Sequence, residues 1–235
     1  MRKETISGLG TITFIKRRNN RRINVKIEPH SNIKVSLPQH IPYHTAKKFV
    51  MENRLLIQNK IESINGRLTL FEQTTDFKTM WHTLRMKPDN CTAPSFSIDN
   101  RFITVNYPHN FSVLQPEVQK TVRDAIEKTL RMEAKIYLPR RLHEFALKYK
   151  FNYNKVFLKN LKTLWGSCSY QNNINLNIHL MRLPRHLIDY IILHELTHTV
   201  IKNHSASFHN LLNSILDDNI EEIKHELHKY SPQIY

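Results

Sequence analysis

The chain has 235 residues, 40% of them hydrophobic, with 4 Gly and 10 Pro, a balance that excludes collagen-like, low-complexity and disordered classes. Its formal net charge of +15 points to an anionic partner such as nucleic acid, or else to a general bias towards lysine. Two cysteines, Cys91 and Cys168, are too few for a disulfide framework, and no segment approaches the roughly eighteen apolar residues that span a bilayer. With no N-terminal apolar run long enough for a signal peptide, a cytoplasmic protein without membrane contact is expected.

The first third reads as β-rich. Thr11–Lys16, Ile23–Ile27 and Ile33–Leu37 alternate apolar and polar residues between turn signals such as Asn19-Asn20 and Pro29. Residues 1–35 carry nine Lys or Arg against Glu4 and Glu28, so this basic N-terminal region is where a nucleic acid would bind. A solvated hairpin tip is the simpler account of the RRNNRR turn itself. Tyr43–Ile64 repeats apolar residues at helical spacing, and Asn65-Gly66 is a stop. Arg67–Phe71, Met80–Met86 and Phe102–Tyr107 return to short strands between prolines.

From Pro116 onward, Val118, Val122, Ala125, Ile126 and Leu130 share one helical face. Pro139 either kinks one long helix or starts a second that ends near Lys148. Lys155–Lys159 and Asn173–Ile178 read as strands on either side of the segment LKTLWGSCS (Leu161–Ser169). Pro184 suits the first turn of a helix. Ser205–Leu216 and Ile220–Lys229 close the chain as helices.

The chemistry concentrates in Ile188–Phe208, IDYIILHELTHTVIKNHSASF. His194, Glu195 and His198 form an HExxH motif, and His204 follows six residues after His198. Helical positions four apart share a face, so His194 and His198 present two imidazoles to one metal ion. Glu195 lies about 100° further round, beside the ion, where a carboxylate can accept a proton from a metal-activated water. On a continued helix His204 would sit about 9 Å along the axis from His198, too far to share the ion. The helix is therefore expected to stop between Thr199 and Asn203, with Asn203 in a left-handed turn and Ser205 as the next N-cap.

HExxH alone arises by chance in roughly a few per cent of chains this rich in histidine, and the third histidine cuts that by more than about ten-fold. Ile201 stands where the long HExxHxxGxxH motif has glycine. The competing reading is a core helix whose histidines are merely hydrogen-bonded. Its apolar surroundings (Ile188, Ile191, Ile192, Leu193, Leu196, Val200) make uncoordinated imidazoles and a carboxylate costly, which favours metal. Glu221 is the second choice for third ligand. Cys168 lacks a base partner and reads as a packed residue rather than a nucleophile. No oxyanion-stabilising Tyr or Arg can be named from the sequence, because it would come from a contact across the fold; Tyr190 and His209 are guesses only.

In chain order EAKIYLPRRL (Glu133–Leu142), WGSCS (Trp165–Ser169), INLN (Ile174–Asn177), Leu183-Pro184, IDYIILHELTH (Ile188–His198) and NHSASF (Asn203–Phe208) resemble the YgjP-like metallopeptidases. These are zincins, distantly similar to the SprT and WLM metalloproteases. With the helical region that begins near Pro116 as the boundary, an α+β chain is expected, a β-rich N-terminal part with one long helix over 1–112 and a zincin-like peptidase part over 113–235. The resemblance implies a compact fold with a small sheet packed on the HExxH helix. It also implies zinc held by His194, His198 and His204, and peptide-bond hydrolysis by a zinc-activated water with Glu195 as general base. His209 departs from the family's usual Trp. From chain order, the strand holding Asn175, Leu176 and Asn177 is expected to pair with an extended peptide substrate through its backbone. Two other functions compete: a nucleic-acid-associated protein, including a protease acting on DNA-bound proteins, and a non-catalytic zinc-stabilised module.

Overall fold

The computed structural model of the chain describes residues 1–28, 32–65, 69–216 and 220–232, with the side chains of 28, 32 and 62–65 left aside. The chain divides into two units, Met1–Leu70 and Phe71–Ile234.

The first unit is a four-stranded sheet with two helices. Its strands are β1 (Arg2–Ile6), β2 (Gly10–Arg17), β3 (Asn24–Glu28) and β4 (Asn32–Pro38), in the order β1-β2-β4-β3. The central pair β2 and β4 is parallel, and both outer strands pair antiparallel. Alternation along β2 and β4 turns Ile12, Phe14, Ile33, Val35 and Leu37 into a core with Ala46, Val50 and Ile57. The helix expected over Tyr43–Ile64 is broken into α1 (Tyr43–Glu52) and α2 (Arg54–Asn65). At the break the Asn53 side-chain amide donates to the Phe49 carbonyl at 2.8 Å, competing with the helical ladder. Strand β1 had no periodic signal, because Ile6 is its only buried residue. The Pro29 turn, the Gly66 stop and the start of the Arg67–Phe71 strand lie outside the described residues; Thr69–Phe71 is not a strand.

In the second unit, α3 (Pro116–Lys148) is one helix of 33 residues that includes Pro139, so the sequence alternative of one long helix is the one observed. Its buried face joins one core with Leu84, Ile103, Val105 and Tyr107. Those residues belong to a sheet of β5 (Thr83–Asp89), β6 (Ser95–Ile98) and β7 (Phe102–Pro108), in the order β5-β7-β6. This shared core is why the chain divides at Leu70–Phe71 and not at the expected 112–113. The strand expected from Met80 starts only at Thr83, because the amides of Met80 and Trp81 donate to the buried Glu133 carboxylate at 3.2 and 3.1 Å.

The third sheet positions the site. It contains β8 (Val156–Lys159), β9 (Gly166–Cys168) and β10 (Ile174–Asn177), in the order β8-β10-β9. A 3₁₀ turn (Ile178–Arg182) leads into α4 (Arg185–Thr197), followed by α5 (Ala206–Leu216) and α6 (Ile220–Leu227). Helix α4 packs against β9, β10 and α3. Arg141 of α3 grips Asp189 of α4 with two parallel bonds, Nε to Oδ1 at 2.8 Å and Nη2 to Oδ2 at 2.7 Å, a geometry that fixes orientation as well as distance. The α+β class and the small sheet on the HExxH helix are as expected. Among the described residues, no helix is long and apolar enough to cross a membrane.

Candidate active site

Helix α4 ends at Thr197 with His198 as its cap, earlier than expected. The freed carbonyls are met within the next turn: Thr199 N–H donates to Leu196 O at 2.9 Å, and Val200 and Ile201 to Thr197 O at 3.0 and 2.9 Å. The Thr199 hydroxyl adds a bond of 2.7 Å to Leu196 O. With the end closed this way no left-handed residue is needed, and Asn203 is not one; Lys150 and Asn172 are the described non-glycine residues with positive φ. Helix α5 begins at Ala206, directly after Ser205, as expected.

This turn brings His204 back to the helix. Its Nε2 lies 3.1 Å from His194 Nε2 and 3.2 Å from His198 Nε2, and the three possible ligand atoms are all within 4.8 Å of one another. A tetrahedral ion bound by imidazoles at about 2.0–2.1 Å requires nitrogens roughly 3.3 Å apart. The three nitrogens therefore fit one divalent cation, whose charge also removes the repulsion of lone pairs facing each other. Glu221, the second choice for third ligand, is instead highly exposed and paired with Lys224 at 2.8 Å.

The rings are held as ligands need to be. His198 Nδ1–H donates to the Ile201 carbonyl at 3.0 Å, which leaves Nε2 with its lone pair. Phe208, fully buried, packs beside all three imidazoles with ring centroids 5.0, 4.5 and 4.9 Å from His194, His198 and His204. Burial, with neighbouring imidazoles adding to it, holds His194 down to about 3, and burial lowers His198 as well. Both are thus neutral donors at physiological pH.

Glu195 is 5% exposed and its Oε2 has no hydrogen-bond partner among the described residues. Burial pushes its carboxyl up to about 8. It lies against Gly166 of β9, where a Cβ would come within 2.7 Å of Oε1 and 2.8 Å of Cγ. Only glycine leaves room for the carboxylate. Gly166 and Phe208 were inside quoted motifs, but their roles depend on contacts across the fold; scarcity was the available signal, since the chain has only 4 Gly. Lys202, between two of the histidines, donates to Ser169 O at 3.1 Å and to Asn172 Oδ1, tying the ligand loop to the β9–β10 turn. Burial raises the Cys168 thiol, which agrees with a packed residue rather than a nucleophile. Tyr190 is buried, its hydroxyl is pushed up to about 12, and its ring lies 6.0 Å from that of His194. The His209 ring is 6.3 Å from that of His204.

The strand with Asn175, Leu176 and Asn177 is not an open edge. Strand β10 is central, parallel to β8 and antiparallel to β9, so its backbone is committed on both sides. Leu176 and Asn177 are fully buried, and the Asn177 amide donates to the carbonyls of Leu161, Leu164 and Pro232 at 2.9, 2.8 and 3.2 Å. The Asn175 amide donates to the Ser167 hydroxyl at 3.0 Å. The expectation failed because β9 is only three residues, Gly-Ser-Cys, with no apolar alternation to reveal it. On β9, Asn177 N–H donates to Trp165 O and Ser169 N–H to Asn173 O, each at 2.9 Å. Antiparallel alternation then turns the peptide groups of Gly166 and Cys168 away from β10, towards the open edge.

The sequence profile of the YgjP-like metallopeptidase domain matches residues 21–230. No curated protein matches the chain at a significant level. Among solved structures the chain is similar to the metallopeptidase zymogen jannalysin of Methanocaldococcus jannaschii. The two are 28% identical at a TM-score of 0.36, covering 39% of this chain and 93% of that one. It is also similar to the metallopeptidase zymogen abylysin of Pyrococcus abyssi, at 20% identity and a TM-score of 0.37, covering 41% of this chain and 98% of that one. Since the profile runs over most of the chain and includes the three histidines and Glu195, this protein belongs to the YgjP-like metallopeptidase family and is a metal-dependent peptidase.

Proposed function

We propose that the protein hydrolyses peptide bonds with zinc held by His194, His198 and His204 and with Glu195 as general base. The observation that carries this reading is the set of Nε2 separations, 3.1 and 3.2 Å, close to the edge of a zinc–imidazole tetrahedron. Zinc bound by three imidazoles supplies Lewis acidity, lowering the pKa of water in its open position and polarising a carbonyl.

The protein's own groups do the rest. Glu195, desolvated and more basic than a free carboxylate, accepts the proton of the attacking water and returns it to the leaving amine nitrogen. Gly166 keeps that carboxylate in place. An extended substrate pairs with the open edge of β9, whose outward peptide groups at Gly166 and Cys168 offer sequence-independent hydrogen bonds next to Glu195. Both cysteines are free thiols, which supports a reducing, cytoplasmic setting.

The test is cleavage of an unstructured peptide, followed by mass spectrometry, for wild type, Glu195→Gln, and chelated protein with and without added zinc. Turnover should disappear in the mutant and in chelated wild type, and zinc addition should restore it in the chelated wild type alone. Equal turnover by folded Glu195→Gln protein would remove the general-base assignment.

A further inference from the structure

The smaller unit carries most of the excess charge, fourteen Lys or Arg against four Glu in residues 1–70. Four of the cations sit in one connection, RRNNRR, where Arg17, Arg18, Arg21 and Arg22 are all exposed. The segment is not the hairpin tip its sequence suggests, because β4 lies between β2 and β3. Arg17 pairs across from Pro38 and Asn24 from Ser36, so residues 18–23 cross the C-terminal end of β4. That crossing spans two strand spacings, about 10 Å, and strings the four arginines along one end of the sheet. The bonds that shape it come from elsewhere: Asn20 N–H donates to Arg17 O at 3.3 Å, and the Asn24 amide to Arg22 O at 3.4 Å. Among the described residues, none of the four guanidinium groups has a hydrogen bond, ion pair or ring contact. Glu4, on β1, is already held by Arg2 at 2.7 Å and Lys47 at 2.9 Å. Four like charges left unneutralised on one short crossing repel one another, so the fold itself gains nothing from them.

We propose that this crossing binds the phosphate backbone of a nucleic-acid duplex. A guanidinium is a rigid fork that matches two phosphate oxygens at once, and a duplex offers one charge per about 1.7 Å of its axis. A protein partner would need an apolar centre to its interface, and a bilayer an apolar anchor beside the cations. The exposed residues from Lys16 to Asn24 are all polar, so the segment offers neither. Single strands are held by open aromatic rings on which bases stack. Tyr43, at this end of the sheet, already has the Lys16 ammonium 5.3 Å and the Arg2 guanidinium 6.0 Å from its ring centroid. Contacts to phosphate alone carry no sequence preference. Binding here is independent of the peptidase reading.

The test is fluorescence anisotropy of a short labelled DNA duplex of mixed sequence with full-length protein, across a range of salt. Wild type is compared with a variant carrying Arg17→Gln, Arg18→Gln, Arg21→Gln and Arg22→Gln. A second variant removes the same charge from exposed positions of the larger unit, by Lys87→Gln, Lys135→Gln, Lys155→Gln and Lys162→Gln. Wild type should bind with a log–log salt slope of about −3 to −4, as about four phosphate contacts require. The arginine variant should lose about 30-fold or more in affinity at low salt, and the lysine variant less than about three-fold. Circular dichroism checks the fold of both. Should the arginine variant unfold, each single Arg→Gln change should still flatten the salt slope by about one. No binding by wild type, or an arginine variant that loses no more than the lysine variant, would overturn the proposal. So would a single strand, a poly-Glu peptide or phosphatidylserine vesicles that displace the duplex at equal charge concentration. Peptide turnover is not read, so none of these outcomes bears on Glu195 or the three histidines.

Discussion

The larger unit buries two glutamates, one in the loop-binding face of α3 and one in the active-site helix α4. Glu133 has no exposed surface and receives four donors: the Thr79 hydroxyl at 2.6 Å, the Met80 and Trp81 amides at 3.2 and 3.1 Å, and His82 Nδ1 at 2.7 Å. Glu195 is nearly as deep, yet its Oε2 has no partner among the described residues and Gly166 presses against Oε1. The first carboxylate is satisfied and organises a loop. The second is left needing a proton or a cation. A buried polar group that the fold does not satisfy marks chemistry, whereas an equally buried satisfied one marks architecture.

That contrast can be broken by mutation, and the largest effect should come from the unsatisfied residue. Glu195→Gln should lower peptide turnover by about 10³-fold, close to 4 kcal/mol of barrier, while keeping its metal. A loss of metal in parallel would mean that Glu195 acts as a ligand. Next, Glu133→Ala leaves several donors unmet and should cost about 3–5 kcal/mol in urea unfolding. A cost below about 1 kcal/mol would erase the distinction between the two carboxylates.

The same Glu195→Gln change should stabilise the metal-free protein. Its folded pKa is raised from 4.5 to about 8, so the native state holds a proton that the unfolded state releases. That contribution is fully present below pH 4.5 and is lost as pH rises through 8. The mutant's stability should therefore separate upward from wild type across this window, by on the order of 2–4 kcal/mol. His194 runs the other way: lowered from 6.5 to about 3, it makes both proteins lose stability as pH falls through that range. Parallel curves for mutant and wild type above pH 4.5 would show that Glu195 is not desolvated. The smallest effect sharpens the picture. Gly166→Ala should reduce turnover roughly ten-fold by displacing the carboxylate, with metal content unchanged; full activity would mean the strand yields freely.

The site was legible where its residues are close in sequence. His194, Glu195, His198 and His204 fall within eleven residues, and helical geometry alone demanded the turn that the structure contains. What stayed hidden depends on distant partners. The satisfied state of Glu133 requires residues 79–82, and the confinement of Glu195 requires Gly166; neither relation leaves a periodic trace. Strand β10 is legible in the sequence, but its central place in the sheet, which rules out pairing with a substrate, is not, because β9 is too short to announce itself. The division at Leu70–Phe71 is hidden for a related reason: periodicity identifies which faces are apolar but not which element covers them. The break at Asn53 turned on a single side-chain bond to Phe49.

The most direct measurement is zinc per chain in purified protein that has been offered zinc, wild type beside His204→Ala, with folding checked by circular dichroism. The account predicts about one zinc in the wild type and a lost or much weakened site in the mutant, since removing one of three protein ligands opens the cage. Folded wild-type protein that takes up no zinc, or a mutant that holds it as tightly, would contradict the three-histidine site.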